Sequence, residues 1–297
     1  MSEPLVDALS NPALVEFGAR VEAAWDQLSP AERAAAVFLR TSDVGALLHS
    51  SAAALGTRAG TSSATIVRTI QAVGYDGLSD LKSRVATAYA RDVAPEVRYA
   101  HQLEAVKGDA PSVRDAVVRE ATEVLESIAA QTEFEDVAAA AALLDHAETI
   151  HCYGAGLSMV AAEIMVKRLG RLGLRARRII DEGFEMPDAL LQLRAGDAVV
   201  LFVPARFTPG VEIAVQHAKA RGAAVLLLTA ASSEDIPFDA DLTINAPLPT
   251  GSLISESLAS IVIVDALTQM LLTLDANRAL KSRYDLTRLR GELGFTT

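Results

Sequence analysis

Up to about Arg91 the apolar positions recur at helical spacing, in short segments. In "NPALVEFGARVEAAWDQL" the residues Leu14, Phe17, Val21, Trp25 and Leu28 fall on one helix face. "SPAERAAAVFLR" opens with Ser29 as N-cap, Pro30 at the first helical position and Glu32 at the third, which spells a capping box. "TSDVGALLHS" reads as a short helix. "SSAAALGTRAG" and "TSSATIVRTIQAVGY" read as two more with a glycine turn between them, and "DGLSDLKSRVATAYAR" closes the set. Residues 92–111, with Pro95, Gly108 and Pro111, predict a linker. Helices are expected over about 112–131 and 134–145.

Beyond that the pattern changes. Apolar runs "TIHCYG", "RARRII", "DAVVLFV", "AAVLLLT" and "DLTINA" alternate with helical segments. Strands alternating with helices predict a parallel sheet covered on both faces. Two long helices, about 253–275 and 277–290, end the chain. The expected organisation is an all-α helix-turn-helix domain over 1–91, a linker over 92–111 and an α/β domain over 112–297.

Composition narrows the function classes. Among 297 residues, 51% are hydrophobic, enough for a substantial core. No apolar run reaches the roughly 18 residues of a membrane helix, and "MSEPLVDALS" lacks the basic start of a signal peptide. The single cysteine, Cys152, allows no internal disulfide. A cytoplasmic protein without cofactor or metal is expected. The net charge of −11 argues against indiscriminate nucleic-acid coating. It is unevenly placed: residues 58–91 hold Arg58, Arg68, Lys82, Arg84 and Arg91 against Asp76 and Asp80, a local net of +3. A DNA-contacting segment needs such a balance.

The motif inside that segment has the right shape. Ser51 can cap one short helix, Gly56 permits close helix approach, Gly60 suits a left-handed turn and Ser62 can cap the next helix. On that helix Ile66, Ile70 and Val73 form an apolar face. Arg68 lies opposite, flanked by Ala64, Thr65 and Gln71. Small residues at a helix start and an arginine on the outer face are what a recognition helix uses. The alternative is an ordinary helical hairpin. The expected DNA contacts are Arg58, Thr61, Ser62, Ser63, Thr65, Arg68 and Lys82.

These residues resemble the N-terminal domain of the RpiR (MurR/RpiR) family of bacterial transcription regulators. Gly60, Ser62, Ala64, Thr65, Arg68, Gly74-Tyr75 and Leu81-Lys82 carry the likeness. The family often has basic residues late in the recognition helix, where this chain has Gln71 and Ala72.

In the C-terminal half, "YGAGLS", "GLRARRIID", "GDAVVLFV", "HAKARGAAVLLLT" and "VIVDAL" resemble a sugar isomerase (SIS) domain, which follows the helix-turn-helix domain in that family. The resemblance implies a five-stranded parallel sheet of flavodoxin-like order in a three-layer fold. It also implies a ligand crevice at the strands' carboxyl ends and a homodimer or homotetramer. A double-stranded DNA operator and a small anionic effector, a sugar phosphate or related carbohydrate-pathway compound, are the implied partners. The crevice residues are expected to be Gly154, Gly156, Leu157, Ser158, Arg206, Thr208, Thr229 and Glu256. Gly154, Gly156 and Ser158 could let a helix start hold an anion. A dinucleotide fingerprint lacks its third glycine, and Asp181 keeps that option only remotely.

The third-strand loop departs from the family. Where a Ser-x-Ser-Gly-x-Thr loop is usual, this chain has Val203, Ala205, Arg206 and Thr208. The pair after the fourth strand is Thr229-Ala230, and Glu256-Ser257 stands where such regulators often have Ser-Arg. Pro204 removes an amide donor, while Arg206 could supply charge instead. Two other readings stay open. One is an aldose–ketose phosphate isomerase with Glu256 as base and His217 or Glu163 as weaker candidates. The other is a regulator whose SIS domain only oligomerises.

Overall fold

A computed structural model describes residues 11–92, 103, 110–180, 185–249 and 253–295. Most of the expected linker, including Pro95 and Gly108, and Asp181 lie outside the described residues. The chain forms two compact units. One is Met1–Ser127 with Leu248–Ser255; the other is Ile128–Pro247 with Glu256–Thr297.

The first unit is helical: α1 (Pro12–Ala24), α2 (Pro30–Thr41), α3 (Val44–His49), α4 (Ala52–Arg58), α5 (Ser63–Ala72), α6 (Leu78–Asp92) and most of α7 (Ala110–Gln131). Local sequence starts each of the first five. Asn11, Ser29, Asp43, Ser51 and Ser62 accept backbone N–H bonds at the helix starts, and Ser29 with Glu32 completes the capping box. Asn11 also donates to the Val85 carbonyl at 3.2 Å, tying α1 to α6. Leu14, Phe17, Leu39, Leu47, Leu55, Ile66, Ile70 and Leu81 meet in one core. Each is one position of a helical stripe read from the sequence, but Trp25, expected on the same face, does not pack with them: α1 ends at Ala24 and the indole is exposed in the turn that follows.

The second unit alternates strands and helices: α8 (Phe134–Asp145), β1 (Ile150–Gly154), α9 (Met159–Arg171), β2 (Ala176–Arg178), α10 (Glu185–Leu190), β3 (Ala198–Phe202), α11 (Pro209–Arg221), β4 (Ala224–Thr229), β5 (Leu242–Asn245), α12 (Leu258–Leu274) and α13 (Ala276–Glu292). All strand pairs are parallel, in the order β2-β1-β3-β4-β5. This is the flavodoxin-like order expected. β1 and β3 are buried throughout, which is why β3 appears as an unbroken apolar run and β1 as one interrupted only by the buried His151. Val199, Leu201, Val225 and Leu227 pack against Val211, Ala214, Val215 and Ala218 of α11. Cys152 is fully buried on β1, and burial pushes its thiol pKa up, so it is a core residue and not a nucleophile. The last long helix pair starts later than the pattern suggested, at Leu258 and not near 253. No single helix among the described residues is long and apolar enough to cross a membrane.

Candidate functional site

In the helical unit, α4 and α5 approach so closely at Gly56 that a Cβ there would sit 2.8 Å from the Ser62 carbonyl carbon and 2.9 Å from Ser63 N. Gly60 takes φ +66° in the turn between them, and Thr61 N donates to Gly56 O at 2.8 Å. Ser62 Oγ then accepts Thr65 N at 3.1 Å. The turn is thus fixed by two glycines and one cap.

α5 buries Ile66 and Ile70 completely and Val73 nearly so. Ser62, Ser63, Ala64, Arg68, Gln71 and Ala72 are exposed, and Thr61 is half-buried. Arg58 is also exposed; it lies over the Phe38 ring at 5.5 Å and donates to Ser50 Oγ at 3.5 Å. Hydrogen bonds from the Ser29 side chain and backbone hold the Glu32 carboxyl below its ordinary range, and the Arg68 charge lowers it further.

Two expected DNA contacts are corrected. Lys82 is 3% exposed and its Nζ lies 3.7 Å from Glu123 Oε2, so it is an interior ion-pair member. Thr65 is 7% exposed, and its hydroxyl lies 2.9 Å from Ser62 Oγ. The wheel placed Thr65 beside Arg68, but the cap turns it inward. Among the described side chains, Arg58 and Arg68 remain as basic candidates of the motif, since Arg84 pairs with Asp80 at 3.0 Å.

In the α/β unit, the carboxyl ends of β1, β3 and β4 are neighbours in the sheet, and the segments that leave them carry the expected crevice residues Gly154, Gly156, Leu157, Ser158, Arg206, Thr208 and Thr229. After β1 the chain turns so tightly that a Cβ on Gly154 would lie 2.5 Å from Ser158 O, and Gly156 takes φ +53°. Leu157 is exposed and Ser158 is buried without capping the helix. Ser257, overlooked at the sequence level except as a departure, donates from Oγ to Leu157 O at 2.9 Å. Its neighbour in sequence, Glu256, is half-buried.

After β3, Val203 N continues the ladder to Leu228 O at 3.0 Å. Pro204 O accepts Ala230 N at 2.8 Å and Thr229 Oγ1 at 3.3 Å. Phe207 meets Phe238 edge-to-face, with ring centroids 5.4 Å apart. Arg206 is exposed at the loop tip and is engaged in an interaction within the protein. Thr208 stands at the N-cap of α11 without a side-chain cap bond.

β1 is the strand from which the order runs both ways, to β2 and to β3. Ligands of open α/β sheets settle at such a switch point. Residues 143–273 match the family model described as the SIS domain.

Residues 143–273 form an SIS domain.

Solved structures extend the likeness. The NanR protein of Vibrio vulnificus, solved with ManNAc-6P, superposes over 93% of this chain and 98% of its own, with a TM-score of 0.55 and 20% identity. The sugar isomerase domain of an RpiR transcription factor from Sphaerobacter thermophilus covers 61% of this chain and 99% of its own, at 0.53 and 22%. At these identities the likeness is one of fold. Among curated relatives, the bifunctional protein glk of Paraburkholderia xenovorans is 26% identical over 236 residues. This chain spans 36% of that protein's length, about a third. An uncharacterized HTH-type transcriptional regulator of Caldanaerobacter subterraneus is 24% identical over 70% of this chain and 73% of its own length. The RpiR resemblance read from the sequence, with its C-terminal SIS domain, agrees with these findings.

Proposed function

We propose that this chain is a DNA-binding transcription regulator whose SIS domain senses a small carbohydrate-pathway metabolite. The observation that carries the DNA half is the α5 surface. A capped helix start with exposed Ser62, Ser63 and Ala64 leads to an exposed Arg68, while the opposite face is fully buried. Small residues let the helix enter a major groove; the helix start and serines can hold a phosphate, and Arg68 can read guanine.

The sensing half rests on the SIS domain and its switch-point crevice. Ligand binding there shifts the balance between two arrangements of a homodimer or homotetramer with different operator affinities. A two-fold assembly reads a palindromic operator. The protein's own upstream region is the first operator to test, by footprinting. Arg68→Ala is expected to cost about 1–3 kcal/mol of operator affinity and relax sequence preference at one base position. Unchanged affinity and preference would remove α5 from the interface.

An isomerase is the weaker reading. Glu163 is taken up by Lys167 at 3.1 Å and Arg178 at 3.7 Å, which leaves it poorly placed as a base. Glu256 stays the candidate base of that reading, and measurable isomerisation that is lost in Glu256→Gln would reverse the preference.

A further inference from the structure

We infer that the segment Leu253–Ser257 is a strap that ties the turn after β1 to α7, and that a ligand seated at that turn acts on the DNA-binding helices through it. The inference rests on the regulator proposed above and supplies the route by which its two halves are coupled.

The strap is anchored at both ends. At one end Leu253 N donates to both carboxylate oxygens of Glu120, each at 3.2 Å. Glu120 is buried on the face of α7 that also buries Ala116, Val124 and Ser127. A carboxylate shielded from water needs its hydrogen-bond donors, so pulling Leu253 away would penalise α7 itself. At the other end Ser257 Oγ donates to Leu157 O at 2.9 Å. Leu157 lies in the tight turn that Gly154 and Gly156 permit. Ser257 is buried at the N-cap of α12, and its own carbonyl accepts Ile261 N at 2.9 Å. Both anchors are thus buried hydrogen bonds on firm elements.

Four peptide steps join the anchors, a reach of about 14 Å at most. Leu253, Ile254 and Glu256 are half-buried, so the connector is packed along its length. A short packed connector passes a displacement on instead of absorbing it. Its place in the chain gives this a direction. Leu248–Ser255 belong with the helical unit, and Glu256 onward with the α/β unit. The Glu120 bonds therefore lie inside the first unit, the Leu157 bond lies inside the second, and the backbone carries one to the other.

From Glu120 the route to α5 is short. α7 is fastened to α6 twice: Ser127 Oγ lies 2.5 Å from Ser79 Oγ, and Glu123 Oε2 lies 3.7 Å from Lys82 Nζ. α6 sends Leu81 and Val85 into the core that holds Ile66 and Ile70 of α5. The Ser257–Leu157 bond, made or broken, supplies the two states between which a ligand at the turn selects.

The test uses the full chain and needs no known ligand. Glu120→Leu removes both acceptors at similar volume, Glu120→Gln keeps one, and Ser257→Ala releases the opposite end. Hydrogen exchange is read by mass spectrometry at the β1 turn (154–160) and in α6 (78–85), with β4 and α2 as references. Relative to those references, Glu120→Leu is expected to speed exchange at the β1 turn, and Ser257→Ala to speed it in α6. Glu120→Gln is expected to stay nearer the unaltered protein. An operator is then selected from a random DNA pool. Glu120→Leu and Ser257→Ala are each expected to shift its affinity about fivefold in the same direction. The double variant should go no further than the larger single, since both release one element. If Glu120→Leu does not fold, Glu120→Gln with Ser257→Ala carries the same comparison. Exchange that rises only beside each substitution, additive operator effects, or unchanged operator affinity overturns the strap and leaves the regulator standing. An unaltered protein that selects no DNA overturns the regulator and the strap's role with it.

Discussion

Lys82 on α6 sets its Nζ 3.7 Å from Glu123 Oε2 on α7, with 4% of the lysine side chain and 26% of the glutamate exposed. Burial lowers the Lys82 pKa, and Glu123 opposes that shift. The two partners are therefore not equivalent. Glu123→Gln removes the ion-pair partner of a buried ammonium, leaving the Glu120 charge to oppose its burial, and is expected to cost about 2 kcal/mol of stability. Lys82→Met removes the buried charge and keeps the volume, and is expected to cost less. Chemical denaturation of both variants checks the asymmetry. Operator affinity of folded Lys82→Met should match the unaltered protein, because the amine does not reach the surface.

Gly56 and Gly60 frame the same turn for different reasons. A Cβ at Gly60 meets nothing within 4 Å, so Gly60→Ala bears only the left-handed backbone cost, about 1 kcal/mol. A Cβ at Gly56 would press on the Ser62–Ser63 peptide, which cannot give without moving α5. Gly56→Ala is expected to lower stability by about 2 kcal/mol and to weaken operator binding beyond that loss. Equal effects from the two substitutions would contradict this reading of the turn.

Tyr75 is a phenol held for its ring. The ring stands 5.9 Å from Phe17, with Arg20 at 4.6 Å and Arg84 at 5.4 Å over it. Its hydroxyl is buried without a hydrogen-bond partner, and burial pushes the pKa up to about 12. An unpaired buried polar group is a cost. Tyr75→Phe is expected to be neutral or to stabilise by up to about 1 kcal/mol, read from the denaturation midpoint. A clear destabilisation would reveal a partner for the hydroxyl.

His151 on β1 lies 3.2 Å from Asp197 Oδ2, both buried. Burial lowers the imidazole pKa; Asp197 acts in the opposite direction, and Arg177 lowers it further. The unfolded chain, with its ordinary value near 6.5, therefore takes up the proton first on acidification. The stability from this group is complete above about pH 6.5 and falls as the pH drops towards the folded value. Melting temperatures between about pH 7.5 and 5.5 should decline more for the unaltered protein than for His151→Gln. Equal declines would exclude His151 as a source.

Much of the fold was readable because it is written locally. Ser29 with Glu32, Ser51 and Ser62 name their own helix starts, since a cap needs partners only two or three residues away. The strands could be read because parallel strands buried on both faces leave no room for polar alternation. What the sequence hid depends on distant partners. Nothing near Lys82 announces Glu123, which lies on another helix. Nothing near residue 253 shows that Leu253 N is held by both oxygens of Glu120, each at 3.2 Å, so the expected long helix waits until Leu258. In the crevice, the spacing of Gly154, Gly156 and Ser158 located the β1 turn. It could not show that Ser257, about a hundred residues on, pins the turn's carbonyl.

Pro204 in the loop between β3 and α11, and Pro209 at the first position of α11, fix φ near −65°. Between them, Phe207 is wedged against Phe238, and Pro204 O is gripped by the end of β4. Such a loop has little conformational freedom to surrender when a guest arrives. The crevice is therefore built to match a shape already present. Discrimination between similar guests should appear in how long each stays, with nearly constant rates of arrival.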